Sequence, residues 1–157
     1  MFQVRDASRS IQFDGIELGH ATSARRGANR WVEFTLYRTK AGSYVLSRVG
    51  QTLVYHDPRC QTVVGAGLAS IPSETLTAGH VPCADCRPKI DEIAEVCPEA
   101  IRHRATVSDG PEGILEVLYR FDDAGVRYLT AVAARLLEQA AILDPDIADA
   151  YRTETIA

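Results

Sequence analysis

His56, Cys60, Cys83 and Cys86 are the residues whose types and spacing can do chemistry: H-x3-C, a 22-residue connection, then C-x2-C. Thiolates brought this close repel one another and persist only when oxidised, protonated or shared by a soft cation. Cys83-Ala84-Asp85-Cys86 has the form of a knuckle, a tight turn that aims two thiolates at one ion, and an H-x3-C pair at a strand end completes a tetrahedron of three sulfurs and one imidazole. The spacing therefore predicts one Zn(2+) per chain, held by His56, Cys60, Cys83 and Cys86. Four protein ligands leave no open position for water, so the ion is expected to be structural. His80, beside the knuckle, is the alternative imidazole, and His56 fits the spacing better. A competing reading makes Cys83-x-x-Cys86 a redox dithiol, since Cys86-Arg87-Pro88 looks like a helix start and a helix N-terminus lowers thiol pKa. That reading leaves Cys60 and His56 without a role. The fourth cysteine, Cys97, falls with Ile90, Ile93 and Ala94 at i, i+3, i+4, i+7, which predicts a helix face ended by Pro98 and a core thiol without chemistry.

The run Ala78-Gly79-His80-Val81-Pro82-Cys83-Ala84-Asp85-Cys86-Arg87-Pro88, preceded by His56-Asp57-Pro58-Arg59-Cys60, resembles the metal-binding domain of the Ada-like DNA-repair family. The shared pattern is ligand-x3-ligand, a short helical turn, then A-G-x-x-P-C-x-x-C-R-P, over residues 55–88. The resemblance implies a zinc-stabilised scaffold near DNA. In that family a cysteine at the first ligand position accepts a methyl group from a DNA phosphotriester; His56 matches that position here, and an imidazole offers no comparable thiolate lone pair. An Ada-like alkyl acceptor using Cys60 or Cys83 is the alternative function the resemblance leaves open. Residues 11–55, through Tyr37-Arg38-Thr39-Lys40-Ala41-Gly42, are also similar to actinobacterial EXLDI proteins, which bring no activity with them.

The elements that must position these ligands are legible in outline. Ser10 to Leu18 alternates about Asp14-Gly15, a two-residue hairpin signal. Gly19 to Arg30 lacks periodicity and reads as a loop carrying Arg25, Arg26 and Arg30. Trp31 to Arg38 places Val32, Phe34 and Leu36 on one face; Ser43 to Val49 returns, Gly50-Gln51 turns again, and Thr52 to Tyr55 delivers His56. Trp31, Tyr37 and Tyr44 lie on the second face of this meander, among Arg30, Arg38 and Lys40, where they would either pack under helices or stack on bases. Gln61 to Ala69 reads as a glycine-kinked strand and Ser70 to Ala78 as a helical turn closed by Gly79. Toward the end, Pro111 opens a helix with Ile114, Leu115, Leu118 and Phe121 as its stripe, and Asp122-Asp123 offers a cap. Leu129, Val132, Ala133, Leu136, Leu137 and Ala140 then line a longer helix stopped at Asp144-Pro145, and Asp146 to Tyr151 adds a turn. The expectation is a single α+β domain: an antiparallel β-meander (1–55), a zinc-knuckle segment (56–98), and helices (109–152) packed on the sheet.

Composition narrows the partners. At 157 residues with 46% hydrophobic and 24% charged, the chain can bury one core. It shows no membrane-length apolar run and no signal-peptide pattern, and cysteine use of this kind fits a reducing cytoplasm. The net charge of -4 is uneven: residues 1–60 carry +4, residues 61–110 -3 and residues 111–157 -5. The basic first part suits nucleic acid, with Arg25, Arg26, Arg30, Arg38 and Lys40 as phosphate contacts, and the acidic helices suit a protein partner or a homodimer. The motifs for serine hydrolysis, phosphate loops and zinc proteolysis are missing, and a deaminase reading fails because Asp57-Pro58 follows His56. A non-enzymatic, regulatory or DNA-binding zinc protein is the expectation.

Overall fold

A computed structural model describes residues 1–66, 72–91, 93 and 96–153. The chain divides into two compact units, one of Met1–Ala24, Val32–Val49 and Arg102–Ala157, the other of Arg25–Trp31 and Gly50–Ile101. The architecture is α+β with the larger helices at the C-terminal end.

The first unit begins with a hairpin of β1 (Phe2–Asp6) and β2 (Arg9–Phe13), turned at Ala7, whose φ of 53° is left-handed. The reversal expected at Asp14-Gly15 is absent. β2 and β3 (Gly15–Thr22) enter different sheets, and β3 pairs antiparallel with β4 (Arg30–Thr39), with a bulge between Glu17 and Gly19. Alternation about a D-G pair is equally compatible with a strand that changes partner, and here the longer pairing with β4 wins. The loop expected from Gly19 is correspondingly shorter, because β3 extends to Thr22. β5 (Tyr44–Tyr55) runs uninterrupted through Gly50-Gln51, where a second turn is expected from the sequence.

Phe34 and Leu36 of β4, with Leu18, Ala21, Tyr44 and Leu46, form the sheet side of the core. The helix side comes from α2 (Pro111–Leu118), α3 (Ala131–Leu143) and α4 (Pro145–Arg152), whose apolar stripes supply Ile114, Leu118, Leu136, Leu137 and Ile147. These helices start where their caps dictate: Pro111 at the first turn of α2, Thr130 accepting from the Ala133 amide, and Asp144 accepting from Asp146 and Ile147. Asp122 caps no helix. Its Oδ1 accepts from the Ala124 and Val126 amides and closes a short hairpin of β8 (Arg120–Phe121) and β9 (Arg127–Tyr128), which leaves Phe121 68% exposed instead of in the α2 stripe. At Gly19 the sheet meets α3 so closely that a Cβ would lie 3.1 Å from the Leu136 carbonyl oxygen, which explains a glycine in mid-strand.

The aromatic face of the meander is divided by packing. Tyr44 is buried in the core, while Tyr37 sits against Phe2 and Phe13 with ring centroids 4.8 and 5.1 Å away.

In the second unit, β6 (Val81–Pro82) lies parallel to the end of β5, pairing Val54 with Val81 and Tyr55 with Pro82. Gln61–Ala66 is a short helix, α1, and not the expected strand; residues 67–69 of that stretch lie outside the described residues. Cys60 supplies the carbonyl that accepts from the Val63 and Val64 amides, so the helix starts directly at a ligand position and local hydrogen bonding overrides the β-branched residues. A single 3-10 turn at Ser73–Thr75 matches the expected helical turn, whose first two residues are also outside the described set. The helix expected around Ile90 to Cys97 does not end at Pro98. Ile90 is exposed, Ile93 is buried, Ala94 lies outside the described residues, and Cys97 opens a long strand, β7 (Cys97–Ser108), which pairs with β5.

Candidate metal centre

The second unit builds its site from three local devices. The first is the Asp57-Pro58-Arg59-Cys60 turn: Pro58 presets φ, the Cys60 amide donates to the Asp57 carbonyl at 2.9 Å, and Asp57 Oδ1 accepts from the Arg59 amide at 2.8 Å. Arg59 also bonds the carboxylate through its side chain, which holds Asp57 below its usual pKa. This turn folds Cys60 back over His56. The second device is β6, whose register against β5 lets the Cys83 amide donate to the Tyr55 carbonyl at 2.9 Å and brings the knuckle beside His56. The third is the knuckle itself. The Arg87 amide returns to the Cys83 carbonyl at 3.0 Å, with Arg87 left-handed at φ 46°.

The result is a cluster in which one ligand atom from each of His56, Cys60, Cys83 and Cys86 lies within 4.8 Å of the others. His56 and Cys83 are buried, Cys60 and Cys86 half-buried, and none of the four cysteines is in a disulfide. His80 is not in the cluster. Its Nδ1 accepts from the Thr77 amide at 2.8 Å and belongs to the turn before β6.

The imidazole is the most informative group. His56 is 0% exposed, and its Nε2 is 2.8 Å from Glu99 Oε1 and 3.2 Å from Cys97 Sγ. A carboxylate only accepts, so Nε2 carries a proton, and in the tautomer this selects the lone pair is on Nδ1. Nδ1 is buried and has no hydrogen-bond partner among the described residues. A buried nitrogen lone pair without a donor costs about 1–3 kcal/mol unless something else satisfies it. A histidine whose outer nitrogen is held by a carboxylate while the inner one is free has the arrangement of a metal ligand. Glu99 and Cys97 are the neighbours of His56 that sequence reasoning misses: the first carries no motif, and the second reads as a core thiol on a helix face but opens β7.

Two thiols have displaced acidities. Cys60 is lowered to about 7, chiefly by the Thr62 amide and also by His56 and Cys86. Cys86 is raised to about 11, chiefly by burial and also by the neighbouring Cys83 and Cys60, although the Asp57 amide donates to its sulfur at 3.3 Å. Without a cation the cluster can therefore hold few negative charges, and a cation that binds thiolate removes that obstacle.

Supporting contacts keep the unit closed. Thr52 is buried between the Asn29 and Gly79 carbonyls, and Asn29 Nδ2 donates to Thr77 Oγ1 at 2.7 Å. A Cβ at Gly79 would lie 2.6 Å from that nitrogen. Gly79→Ala is expected to displace Asn29 and cost about 1–3 kcal/mol, seen as earlier loss of amide protection in residues 50–60 than in 111–143 by hydrogen exchange.

Of the basic residues considered for phosphate, Arg25, Arg26 and Arg30 are exposed and belong to this unit. Arg38 and Lys40 belong to the other unit, where Arg38 is bonded to Asp144 at 3.0 Å and Asp146 at 2.9 Å, and Lys40 lies 4.0 Å from Asp14. No helix among the described residues is long and apolar enough to cross a membrane.

Protein-family models, curated proteins and solved structures give no match.

Proposed function

We propose that His56 Nδ1, Cys60, Cys83 and Cys86 bind one structural Zn(2+) and that the protein works as a non-enzymatic, zinc-stabilised binding protein. The observation that carries this is the buried His56 Nδ1, left without a partner beside three thiols while Glu99 occupies Nε2. Three soft sulfurs and one imidazole select zinc over the hard cations, and four protein ligands close the coordination shell. Elemental mass spectrometry on protein purified without chelator is expected to give one zinc per chain, and none in Cys83→Ala. A metal-free protein with a Cys83–Cys86 disulfide would refute the assignment.

Glu99 is the positioning residue for His56. Glu99→Gln is expected to weaken zinc binding about 10–100-fold, measured by competition with a chromophoric chelator, while far-UV circular dichroism of the zinc-loaded protein is unchanged.

For the partner, Arg25, Arg26 and Arg30 support nucleic acid, because they are exposed and lie in the same unit as the metal cluster. The carboxylate contacts of Arg38 and Lys40 weigh against their part in it. Binding through three phosphate contacts predicts a log–log salt slope near -3 on duplex DNA.

A second reading, an Ada-like thiolate that accepts alkyl groups, draws support from the half-buried, acidified Cys60. Against it, the amides that donate to Cys60 and Cys86 draw charge from sulfur and lower its nucleophilicity. Intact mass after incubation with methylated DNA distinguishes the two, a single stoichiometric adduct on Cys60 favouring the second.

A further inference from the structure

In the first unit a cavity of about 600 Å³ opens between the sheet and helices α2 and α3. Phe34, Leu46, Leu118 and Val132, all core residues, make its floor. Arg48 of β5, Arg104 of β7 and Arg120 of β8 reach it from three different strands. This volume is that of a small-molecule site, and an apolar floor with a few convergent polar groups is how such sites are built.

The charge around it is unbalanced. In a chain where acidic side chains outnumber basic ones 21 to 17, none of these three guanidiniums has an ion-pair partner among the described residues. The one carboxylate in the lining, Asp6, accepts from the Ala105 amide at 3.2 Å. Arg48 lies over the Phe34 ring, 5.9 Å from its centroid, so its charge sits where the apolar floor meets the rim. Its pKa is lowered, first by burial and then by Arg120 and Arg102, so Arg120 lies near enough to repel it. Folding that gathers unpaired positive charge over an apolar cavity incurs a repulsion that an anion would relieve.

The geometry points to this cavity as a binding site for a small organic anion with an apolar body and one anionic head, the body against Phe34 and Leu118 and the head held by Arg48, Arg104 and Arg120. Guanidinium suits such a head because its planar fork gives two parallel, charge-assisted hydrogen bonds to carboxylate or phosphate. The site is independent of the metal cluster, whose ligands all lie in the other unit.

The test uses the full chain with anilinonaphthalene sulfonate, an apolar sulfonate, as fluorescent reporter. One saturable site per chain is expected, emptied by decanoate or decyl phosphate and not by equal concentrations of decanol or decylamine, and weakened by salt. Arg48→Gln and Arg120→Gln should each raise the reporter's dissociation constant about tenfold, and Arg9→Gln on β2 should leave it unchanged. All three arginines are exposed, and if Arg48→Gln in mid-strand nevertheless fails to fold, the Arg104→Gln, Arg120→Gln double variant decides. Decanol competing as well as decanoate, absence of a saturable site, or a dissociation constant indifferent to these arginine substitutions would each overturn the proposal.

Discussion

If zinc is held as proposed, Cys83→Ala or a strong chelator is expected to unfold the unit of residues 50–101 while the helical core of the other unit survives. The apolar interior of this unit is small: Val54, Val63, Ile93 and Cys83 are its buried hydrophobic residues among those described, with Thr52 and His56 as buried polar ones. Such an interior cannot offset the conformational entropy of a segment this long. Zinc coordination by thiolates supplies free energy on the order of 10 kcal/mol at neutral pH, and here it would also satisfy His56 Nδ1 and relieve the contest among the three thiols. Hydrogen exchange by mass spectrometry reads the result directly. Residues 50–60 and 81–91 should lose protection, and residues 131–152 should keep it. Full retention of protection in the chelated protein would show that the metal does not hold this unit together.

The second large effect lies in the other unit. Asp144 is 2% exposed, ends α3, caps α4 through the Asp146 and Ile147 amides, accepts from Arg38 at 3.0 Å, and accepts from the Tyr44 hydroxyl at 3.2 Å. Asp144→Ala removes a helix cap, leaves the buried Tyr44 hydroxyl without its partner, and leaves Arg38 with Asp146 alone. Because Arg38 is a third exposed and keeps Asp146, losing these contacts costs about 1–3 kcal/mol, and the lost cap adds about 1 kcal/mol. In a domain of this size the melting temperature should fall by roughly 10 °C. Asp144→Asn keeps the cap and should recover part of the loss.

The same group predicts the alkaline limit of the unit. Burial, and after it the Asp144 carboxylate, push the Tyr44 hydroxyl from its ordinary 10.0 up to about 12. A pKa raised on folding means the folded state favours neutral tyrosine. The contribution is therefore complete below pH 10, where both states are protonated, and is lost as pH rises from about 10 to about 12. Thermal melts across that window should show a drop that Tyr44→Phe abolishes, at a cost of about 1 kcal/mol at neutral pH.

The four candidate ligands were legible because their chemistry is local. A knuckle needs four residues and a proline turn five, so cysteine spacing and the Asp57-Pro58 pair announce the geometry without reference to the rest of the chain. Helices α2, α3 and α4 were legible for a similar reason: a 3.6-residue apolar stripe and its caps are properties of a single segment. What the sequence could not decide is everything that depends on which strand lies beside which. Asp14-Gly15 reads as a hairpin until β2 is seen to pair with β1 and β3 with β4. β7 has no buried residue and its apolar Ile101 and Val107 are exposed, so no core-facing stripe marks it, and with it go Cys97 and Glu99, more than 40 residues from the histidine they approach. The joining of Arg38 and Tyr44 to Asp144 across more than 100 residues, and of three arginines from three strands around one cavity, arises in the same way. Local spacing determined which atoms can bind a metal. Only the long-range register of the strands decided which carboxylate orients the histidine and where unpaired charge collects.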